Sequence, residues 1–506
     1  MWWSVGTAVV LEVVYLAVRP QAPDLPAQLA RAGAVSRGVQ LWWAGWYGGI
    51  NTSTYSLISA HLMSTFGVGA VGVLATAAIC LAGADLVRSC ERPRSGAVAI
   101  TLAACANLYS GRITFAAGMA VCLVSFCLLR RDRTWPALAL TVLTGFVSPL
   151  AALCQLVGLA ALVLNGGSKR RLGVLVAACL LPVGVISVVF GQPAYMPFSA
   201  DTCVFALLAC AGVGLAPVPR LVRCLALVSA VLAVGAVLVH SPVGSNAARM
   251  PMLAAAPLVV ATARRGAWHG KWLAAGLVIW PLISFSSDMA IAAQPSSQAT
   301  FYADLLRQLP AAGTSLQRVE VVDPRTHGAA FYLSTQVPLA RGWERQIDAA
   351  SNPIFYGGSL TAATYRAWLV EHAVGWVAVP DGALDYSAQA EKALVESGLP
   401  YLRLRWQNPH WLLYRVTAPA PVATGVLRTT GLTDTGIGLV ATGTGTGTIR
   451  VPYSRLLTVR SRDDLSVVGC VSPTPTGDVQ VSVPAAGWYV LDAELGSLTR
   501  SCPPAA

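Results

Sequence analysis

The sequence predicts a polytopic α-helical membrane protein with about eleven transmembrane helices, followed by an extracytoplasmic α/β domain and an extracytoplasmic β-sandwich. Three observations support this fold class: a series of apolar segments up to about residue 293, basic loops after every second segment, and strand-like alternation in the rest of the chain. Of the 506 residues, 55% are hydrophobic and 11% are charged, and the mean hydropathy is +0.60. This composition excludes an ordinary soluble protein.

The net charge of +12 belongs to the apolar part of the chain. Residues 1–293 contain 19 Lys and Arg against 7 Asp and Glu, whereas residues 294–506 contain 16 of each sign. Basic residues in the loops of a membrane protein encode its orientation, so the excess gives no support to nucleic-acid binding. The predicted domains are a transmembrane bundle (1–293) with a long first outer loop (19–65), an α/β domain (294–417) and a β-sandwich (418–506).

The apolar segments are long enough, or nearly so, to cross a bilayer as helices. Lys and Arg follow the even-numbered segments, whereas the loops after the odd-numbered segments carry few charges. Because Lys and Arg collect on the cytoplasmic side, this pattern predicts a plasma-membrane protein with a cytoplasmic N-terminus and an outer C-terminal half. The two segments around Ser148 and Pro149 are alternatively one kinked helix. The segments lie near 2–18, 66–86, 95–110, 114–129, 135–147, 149–165, 172–190, 202–217, 222–240, 250–263 and 272–293.

The cysteines divide in the same way. Ten of the twelve lie in or beside apolar segments without metal-like spacing, where cysteine behaves as a small hydrophobic residue. Only Cys470 and Cys502 lie in the polar half, and in an extracytoplasmic domain such a pair predicts a disulfide that contributes about 3–4 kcal/mol. The first apolar run ends at Val18 without a small-x-small cleavage site, which predicts a retained helix and no signal peptide.

The C-terminal half begins with alternating strand-like and helix-like segments, which predict a small α/β domain. After a Pro- and Ala-rich break at 418–424, short strands separated by Gly, Thr and Pro predict a β-sandwich of about 80 residues. The Gly-Thr run at 442–448 lacks the strand–GxGxxG–helix context of a phosphate-binding loop. The predicted strands are 318–323, 376–381, 401–406 and 411–416, and the predicted helices are 361–373 and 387–398.

The long first outer loop contains an aromatic cluster formed by Trp42, Trp43, Trp46 and Tyr47. Trp and Tyr are favoured at the membrane–water interface, so one interpretation is an interfacial anchor. The other is a sugar-binding site lined by aromatic faces at the mouth of a membrane cavity. Composition does not separate the two.

Ionisable side chains near the outer side of the bundle are candidate site residues, because charges at membrane depth are costly. Asp24 follows the first segment, Arg112 lies in the third-to-fourth loop, and Asn246 and Arg249 precede the tenth segment. A carboxylate there can act as a general base or a metal ligand, and arginine can bind phosphate. The alternatives are a helix-start carboxylate for Asp24 and a snorkelling or ion-paired Arg249.

The C-terminal half contains a second dense set of polar and aromatic residues, "LARGWERQID" at 339–348. Its members Arg341, Trp343, Glu344 and Arg345 suit carbohydrate binding, since aromatic faces stack on sugars and Arg/Glu pairs bind hydroxyl groups. The alternative is a polar network that docks the domain on the bundle. His327 and His372 have no nucleophile at a recognisable spacing, which argues against a hydrolase.

The pattern of a first helix, a long outer loop with an early acidic residue in "APDLPAQLARA", many spans with basic inner loops and a terminal outer domain resembles the GT-C superfamily of polytopic glycosyltransferases. That resemblance covers mainly the first hundred residues and the topology. It implies a polyprenyl-phosphate sugar donor and a carboxylate, here Asp24, as base or metal ligand. Many members have an Asp/Glu pair where this chain has Asp24 followed by Leu25. This departure argues against metal-dependent catalysis, and the resemblance alone leaves a divalent cation open as a cofactor.

The motifs "WYGG…YS", "GSNAARM" and "ARGWERQID" resemble a group of actinobacterial integral membrane proteins, some of which carry a transporter label. This second resemblance runs over most of the chain and implies no particular reaction.

The GT-C resemblance, the long outer loop, the one-sided topology and the outer domains lead to one hypothesis: a membrane glycosyltransferase that moves a sugar from a polyprenyl-phosphate donor to an envelope glycan or lipid on the outer face. Asp24 is then the base, and Arg249, Arg112 and Asn246 hold the donor phosphate. The alternatives are a transporter or flippase of an envelope precursor and a non-catalytic glycan-binding scaffold. Against a twelve-span carrier, the sequence contains no six-span internal repeat. Membrane lipids, the donor and the acceptor are the expected partners.

Overall fold

The computed structural model describes residues 2–264, 268–311, 316–465 and 467–499. The chain forms two compact units, and each unit combines segments that are distant in sequence. The first consists of Met1–Gln28, Thr54–Ala293 and Arg345–Ser351, and the second of Leu29–Ser53, Gln294–Glu344 and Asn352–Ala506. Most of the predicted first outer loop therefore belongs to the same unit as the C-terminal half. The predicted division of that half at residues 417 and 418 stays a prediction.

The first unit is helical, and a helix lies at the position of each predicted apolar segment. Among the described residues, five helices are long and apolar enough to cross a membrane, and four further apolar helices are shorter. The number of true spans stays a prediction. The helices are α1 (Trp2–Val18), α2 (Leu25–Ser36, which ends in the second unit), α3 (Ser59–Phe66), α4 (Val68–Leu86), α5 (Pro93–Tyr109), α6 (Ile113–Arg130), α7 (Thr134–Val147), α8 (Pro149–Leu164), α9 (Lys169–Phe190), α10 (Ala200–Leu215), α11 (Arg220–Leu238), α12 (Arg249–Thr262), α13 (Trp268–Ala292) and, later in the chain, α16 (Arg345–Ser351).

The segments around Ser148 form two helices and not one kinked helix. Helix α7 ends at Val147, and Ser148 adopts an extended backbone conformation. Its hydroxyl accepts a hydrogen bond from the backbone N–H of Ala151 at 3.3 Å, and Pro149 occupies the first turn of α8. Because an N-cap serine satisfies an N–H at the start of a helix and proline at the first position needs no N–H partner, this sequence starts a new helix.

The basic loops of the first unit meet at one end of the helices. Arg131 donates to the carboxylate of Asp85 at 2.9 Å, which joins the loop after α6 to the end of α4. Arg171 donates to Asp132 at 2.8 Å, and Arg220 donates to the carbonyl of Leu164 at 3.2 Å. Likewise, Arg92 donates to the carbonyl of Arg264 at 3.3 Å. Loops that the charge pattern assigns to one side of a membrane therefore lie together.

The second unit contains the predicted α/β fold. Four strands form a mixed sheet in the order β3-β4-β6-β5, in which β3 and β4 are parallel and the other pairs are antiparallel. All seven residues of β4 are buried, as expected for a central strand covered on both faces. The elements are β3 (Arg318–Val321), β4 (Val374–Pro380), β5 (Leu402–Gln407), β6 (Trp411–Val416), α14 (Ala299–Ala311), α15 (Ala329–Tyr332), α17 (Ala362–Glu371) and α18 (Gln389–Glu396).

The predicted β-sandwich is also present in the second unit. Its two antiparallel sheets have the orders β10-β13-β8-β7 and β11-β12-β9, and their inward side chains share one apolar core. Trp42, from the short hairpin of β1 (Trp42–Trp43) and β2 (Ile50–Asn51), lies in that core. Cys470 lies on β11, whereas Cys502 lies outside the described residues, so the disulfide stays a prediction. The strands are β7 (Leu427–Leu432), β8 (Ile437–Ala441), β9 (Gly445–Pro452), β10 (Leu457–Ser461), β11 (Cys470–Pro473), β12 (Asp478–Val483) and β13 (Gly487–Ala493).

Arg318 on β3 joins three parts of the second unit. The residue is only 2% exposed. Its guanidinium donates to the carbonyls of His372 at 2.7 Å, Gly48 at 3.2 Å and Arg450 at 2.7 Å. Burial lowers the pKa of Arg318 to about 10, so the group remains charged at neutral pH. Carbonyl oxygens from residue 48, from the end of α17 and from the sandwich strand β9 therefore replace water around one buried cation.

We expect Arg318→Met to destabilise the second unit by about 3 kcal/mol, because the buried carbonyls lose their charged donor. The measurement is the thermal unfolding midpoint of the full chain in detergent, followed by tryptophan fluorescence. Arg462→Met is the matched control, since Arg462 is exposed. Equal unfolding midpoints for the two variants would contradict the conclusion that Arg318 stabilises the second unit by connecting its parts.

Candidate functional site

The structure brings together three of the four charged or polar residues predicted as a site in the helical unit. Asp24 lies between α1 and α2, Arg112 immediately precedes α6, and Arg249 is the first residue of α12. Asp288, on α13, joins them. These four residues come from four separate stretches of the chain and form one ionic cluster.

The cluster is built on shared carboxylate oxygens. Arg112 Nε donates to Asp24 Oδ2 at 2.8 Å, and Arg112 Nη2 donates to Asp288 Oδ2 at 3.2 Å. Arg249 Nη2 lies 3.6 Å from the same Oδ2 atom of Asp24. The side chains of Arg112, Asp288 and Arg249 are 13%, 15% and 18% exposed, and that of Asp24 is 31% exposed. Two arginines and two aspartates make the cluster formally neutral.

Two glycines allow the backbone to place these side chains. Gly111 has a φ of +76°, and a Cβ atom there would lie 2.7 Å from the backbone nitrogen of Leu25. The turn before α6 thus packs directly on the residue after Asp24, which brings Arg112 beside it. Gly244 has a φ of +37°, and a Cβ there would lie 1.9 Å from the carbonyl oxygen of Met196. Only glycine fits these approaches without strain.

Asn246 lies in the short helical turn Gly244–Ala248 that precedes Arg249. Its backbone N–H donates to the carbonyl of Val243 at 2.9 Å. Within the described residues, no hydrogen bond joins its side chain to Asp24 or to the arginines. The predicted phosphate-binding role of Asn246 stays a prediction.

An apolar cavity of about 220 Å³ lies beside the cluster. It is lined mainly by α4, α5, α6 and α12, and its polar side chains are Asn107 and Arg249. The Arg249 guanidinium carbon lies 5.8 Å from the centroid of the Phe115 ring, which also lines the cavity. Leu86 and Val87 line it near the basic loops. A long apolar molecule with an acidic head matches such a lining, because the arginine provides a charge where the apolar walls end.

The aromatic cluster of the first outer loop is buried and does not form an exposed sugar-binding face. Trp42, Trp43, Trp46 and Tyr47 are between 0 and 5% exposed. The Trp43 and Trp46 rings stack at 4.6 Å, and Trp43 Nε1 donates to Asp434 at 2.6 Å. Trp46 Nε1 donates to the carbonyl of Ala330 at 3.1 Å. The interfacial and the sugar-binding interpretations are thus both corrected: these rings pack the interior of the second unit.

The "LARGWERQID" segment is likewise a buried network rather than a glycan-binding face. Arg341 lies 3.3 Å from Glu320 and 3.4 Å from Glu391, and its guanidinium carbon is 4.1 Å from the centroid of the Phe355 ring. In the same segment, Trp343 stacks on the ring of His327, and Glu344 forms an ion pair with Arg31. Arg345 is half-buried at the start of α16. Side chains engaged in this way present no free surface to a sugar.

In the described part of the chain, no group of three or more His, Cys, Asp or Glu side chains is arranged to hold a metal ion. Asp24 and Asp288, the two carboxylates of the cluster, are both bound by Arg112. A divalent cation would therefore compete with arginine for its ligands.

Sequence patterns gave no sign of Asn107 at this cavity and did not name the partner of Asp288. Asp288 was visible as an ionisable residue in an apolar segment, which marks a candidate. Its partner depends on the rotation of α13, and an almost uniformly apolar helix does not reveal that rotation.

No protein-family model and no curated protein matches this chain. Among solved structures, the chain is similar to the arabinofuranosyltransferase AftD from Mycobacteria, with 16% identity, a TM-score of 0.40, and coverage of 82% of this chain and 40% of that one. Two structures of a mutant of AftD give identities of 13% and 16% and TM-scores of 0.42, with coverage of 97% and 88% of this chain. The chain spans 40 to 60% of the length of these proteins. TM-scores below 0.5 do not establish a common fold.

We expect Trp43→Ala to lower the stability of the second unit by about 3–5 kcal/mol, because it leaves a large cavity and removes the indole N–H that donates to Asp434 Oδ1. The unfolding midpoint of the full chain measures this effect. Trp488→Ala is the control, since Trp488 is 49% exposed. A Trp43→Ala protein of unchanged stability and reduced affinity for envelope glycan would restore the sugar-binding interpretation.

Proposed function

We propose that the protein is an integral membrane glycosyltransferase that transfers a sugar from a polyprenyl-phosphate donor to an envelope glycan or lipid on the outer face. The observation that carries this proposal is the meeting of Asp24, Arg112 and Arg249 beside an apolar cavity of the helical unit. Transfer from such a donor requires a carboxylate for the acceptor proton, cationic side chains for the donor phosphate and an apolar wall for the lipid chain.

The arginines account for the phosphate. Arg112 and Arg249 converge on one carboxylate oxygen, so their guanidinium groups are close enough to share one anion. Arginine binds phosphate through parallel N–H donors, and partial burial strengthens each contact.

The cavity accounts for the lipid. Its lining is apolar apart from Asn107 and Arg249, which suits an isoprenoid chain. Arg249 lines the cavity. An isoprenoid chain attached to a phosphate bound by Arg249 would therefore pack against Phe115, Met250 and Leu253.

Asp24 accounts for the chemistry. The acceptor hydroxyl loses its proton to the Asp24 carboxylate, and its oxygen forms a new bond to the anomeric carbon of the sugar. The bond between that carbon and the phosphate oxygen breaks, and its electron pair stays on the polyprenyl phosphate. General-base catalysis of this kind contributes about 10²- to 10⁴-fold to a rate.

The proposed orientation follows from the loops. The basic loops lie together, and Lys- and Arg-rich loops face the cytoplasm in membrane proteins. Asp24, Arg112 and Arg249 lie next to the opposite helix ends, which supports an outer position for them. The proposed orientation also agrees with a first span that starts on the cytoplasmic side and with an odd number of spans.

A flippase of a lipid-linked precursor is the second candidate. It is favoured by one observation: the cavity lining includes Leu86 and Val87 near the basic loops as well as Arg249 at the other end of α12. A flippase needs phosphate binding but no base. The burial of the aromatic cluster and of the "LARGWERQID" side chains weakens the third idea, a glycan-binding scaffold that uses those residues.

We expect Asp24→Asn to lower sugar transfer at least about a hundredfold, because the amide cannot accept the acceptor proton. The measurement is incorporation of labelled sugar into envelope glycan in cells that express each variant at equal levels. Asp201→Asn is the matched control, since Asp201 is an exposed carboxylate in the first turn of α10. Unchanged transfer by Asp24→Asn would refute the catalytic assignment and leave the flippase.

We expect Thr476→Cys to react with a membrane-impermeant maleimide in intact cells, because residue 476 is exposed in the proposed outer half. Lys169→Cys, exposed at the start of α9, should react only after permeabilisation. The unsubstituted protein gives the background from its own cysteines. Labelling of Lys169→Cys in intact cells would contradict the proposed orientation and indicate the opposite one.

A further inference from the structure

Asp24 and Asp288 hold Arg112 from two different elements. Asp24 belongs to the linker between α1 and α2 and is 31% exposed, whereas Asp288 belongs to α13 and is 15% exposed. Arg112 uses Nε for the first carboxylate and Nη2 for the second. The guanidinium thus has one partner on a linker and one on a long helix.

In this arrangement the candidate base is also the counter-ion of both arginines. The Oδ2 atom of Asp24 accepts from Arg112 at 2.8 Å and lies 3.6 Å from Arg249, so both arginines engage the oxygen that would take a proton. An incoming phosphate needs the same arginine donors. The phosphate and Asp24 therefore compete, and binding of the phosphate releases the carboxylate.

Exchange of this kind requires that Arg112 stay in place when Asp24 leaves it. Asp288 meets that requirement, because it bonds a different nitrogen of the guanidinium and lies on α13 rather than on the linker. Among the residues that the structure describes, Asp288 is the carboxylate on a helix that binds Arg112, and it can hold the long side chain while the anions exchange.

We propose that Asp288 is a positioning residue that holds Arg112 in the site while a donor phosphate replaces Asp24 as the partner of the two arginines. This inference rests on the proposed function. It assigns Asp288 no contact with the reacting atoms, and it makes phosphate binding the event that frees the Asp24 carboxylate to accept a proton.

If Asp288 acted only through its charge, the expected change in phosphate affinity of Asp288→Asn would have the opposite sign. Removal of either carboxylate makes the cluster more positive, so charge alone would tighten phosphate binding in Asp24→Asn and in Asp288→Asn alike. The positioning role predicts tighter binding for Asp24→Asn, in which the competitor is absent, and weaker binding for Asp288→Asn, in which the anchor is absent. The two variants therefore separate the two explanations.

The experiment measures the binding of farnesyl phosphate, with uncharged farnesol as the comparison, to the full chain in nanodiscs of zwitterionic lipid by calorimetry. We expect Asp24→Asn to bind farnesyl phosphate about fivefold more tightly and Asp288→Asn about tenfold more weakly than the unsubstituted protein. Changes of this size correspond to about one charge-assisted hydrogen bond between the phosphate and an arginine. Asp288→Glu should restore much of the affinity, and the control Asp201→Asn should leave it unchanged.

Binding by Asp288→Asn that equals or exceeds that of the unsubstituted protein would overturn the positioning role and leave the proposed function intact. Failure of the unsubstituted protein to prefer farnesyl phosphate over farnesol would refute the donor-phosphate site and this inference together. If Asp288→Asn does not fold, Asp288→Ser decides the question, because it removes the same carboxylate and leaves both phosphate-binding arginines in the chain. Undiminished binding by Asp288→Ser would overturn the inference.

Discussion

The pairing of Arg112 with two aspartates is the interaction on which the helical unit's candidate site depends. A single guanidinium connects the linker after α1, the turn between α5 and α6, and α13, and Asp24 extends the connection to Arg249 on α12. Charges in a largely apolar unit are costly unless they are paired, so these elements are constrained to bring their charged ends together. The apolar cavity acquires its polar end from the same constraint, because Arg249 both lines the cavity and faces Asp24.

Much of the helical unit was predictable from local sequence. A run of apolar residues of sufficient length forms a helix wherever backbone groups must satisfy one another, and each of the eleven segments lies on a helix. The grouping of Asp24, Arg112 and Arg249 followed from the alternation of basic and non-basic loops, which assigns their positions to one side. Asp288 was different, since its place in the cluster depends on how α13 is rotated and packed, and no local pattern of α13 encodes that.

The second unit shows why sequence alone left the roles of the aromatic and arginine-rich motifs open. A cluster such as Trp42, Trp43 and Trp46 has the same composition whether it faces a sugar, a membrane surface or a protein interior. Its real partners, Asp434 and Ala330, lie some 280 to 390 residues later in the chain. Arg31 and Glu344 form an ion pair across 313 residues. Composition identifies residues that need a partner, but it does not say whether the partner is a ligand or another part of the same chain.

The assignment of residues 29–53 to the C-terminal unit has a consequence for biosynthesis. This segment leaves the ribosome before the whole of residues 54–293, whereas its buried tryptophans find their partners only when residues 330 and 434 have been made. At ordinary translation rates that interval is roughly 10 to 50 s for residues 54–293 alone. Over this interval Trp43 and Trp46 lack the partners that they contact in the folded protein. Completion of the second unit therefore follows the synthesis of its earliest segment by at least this interval.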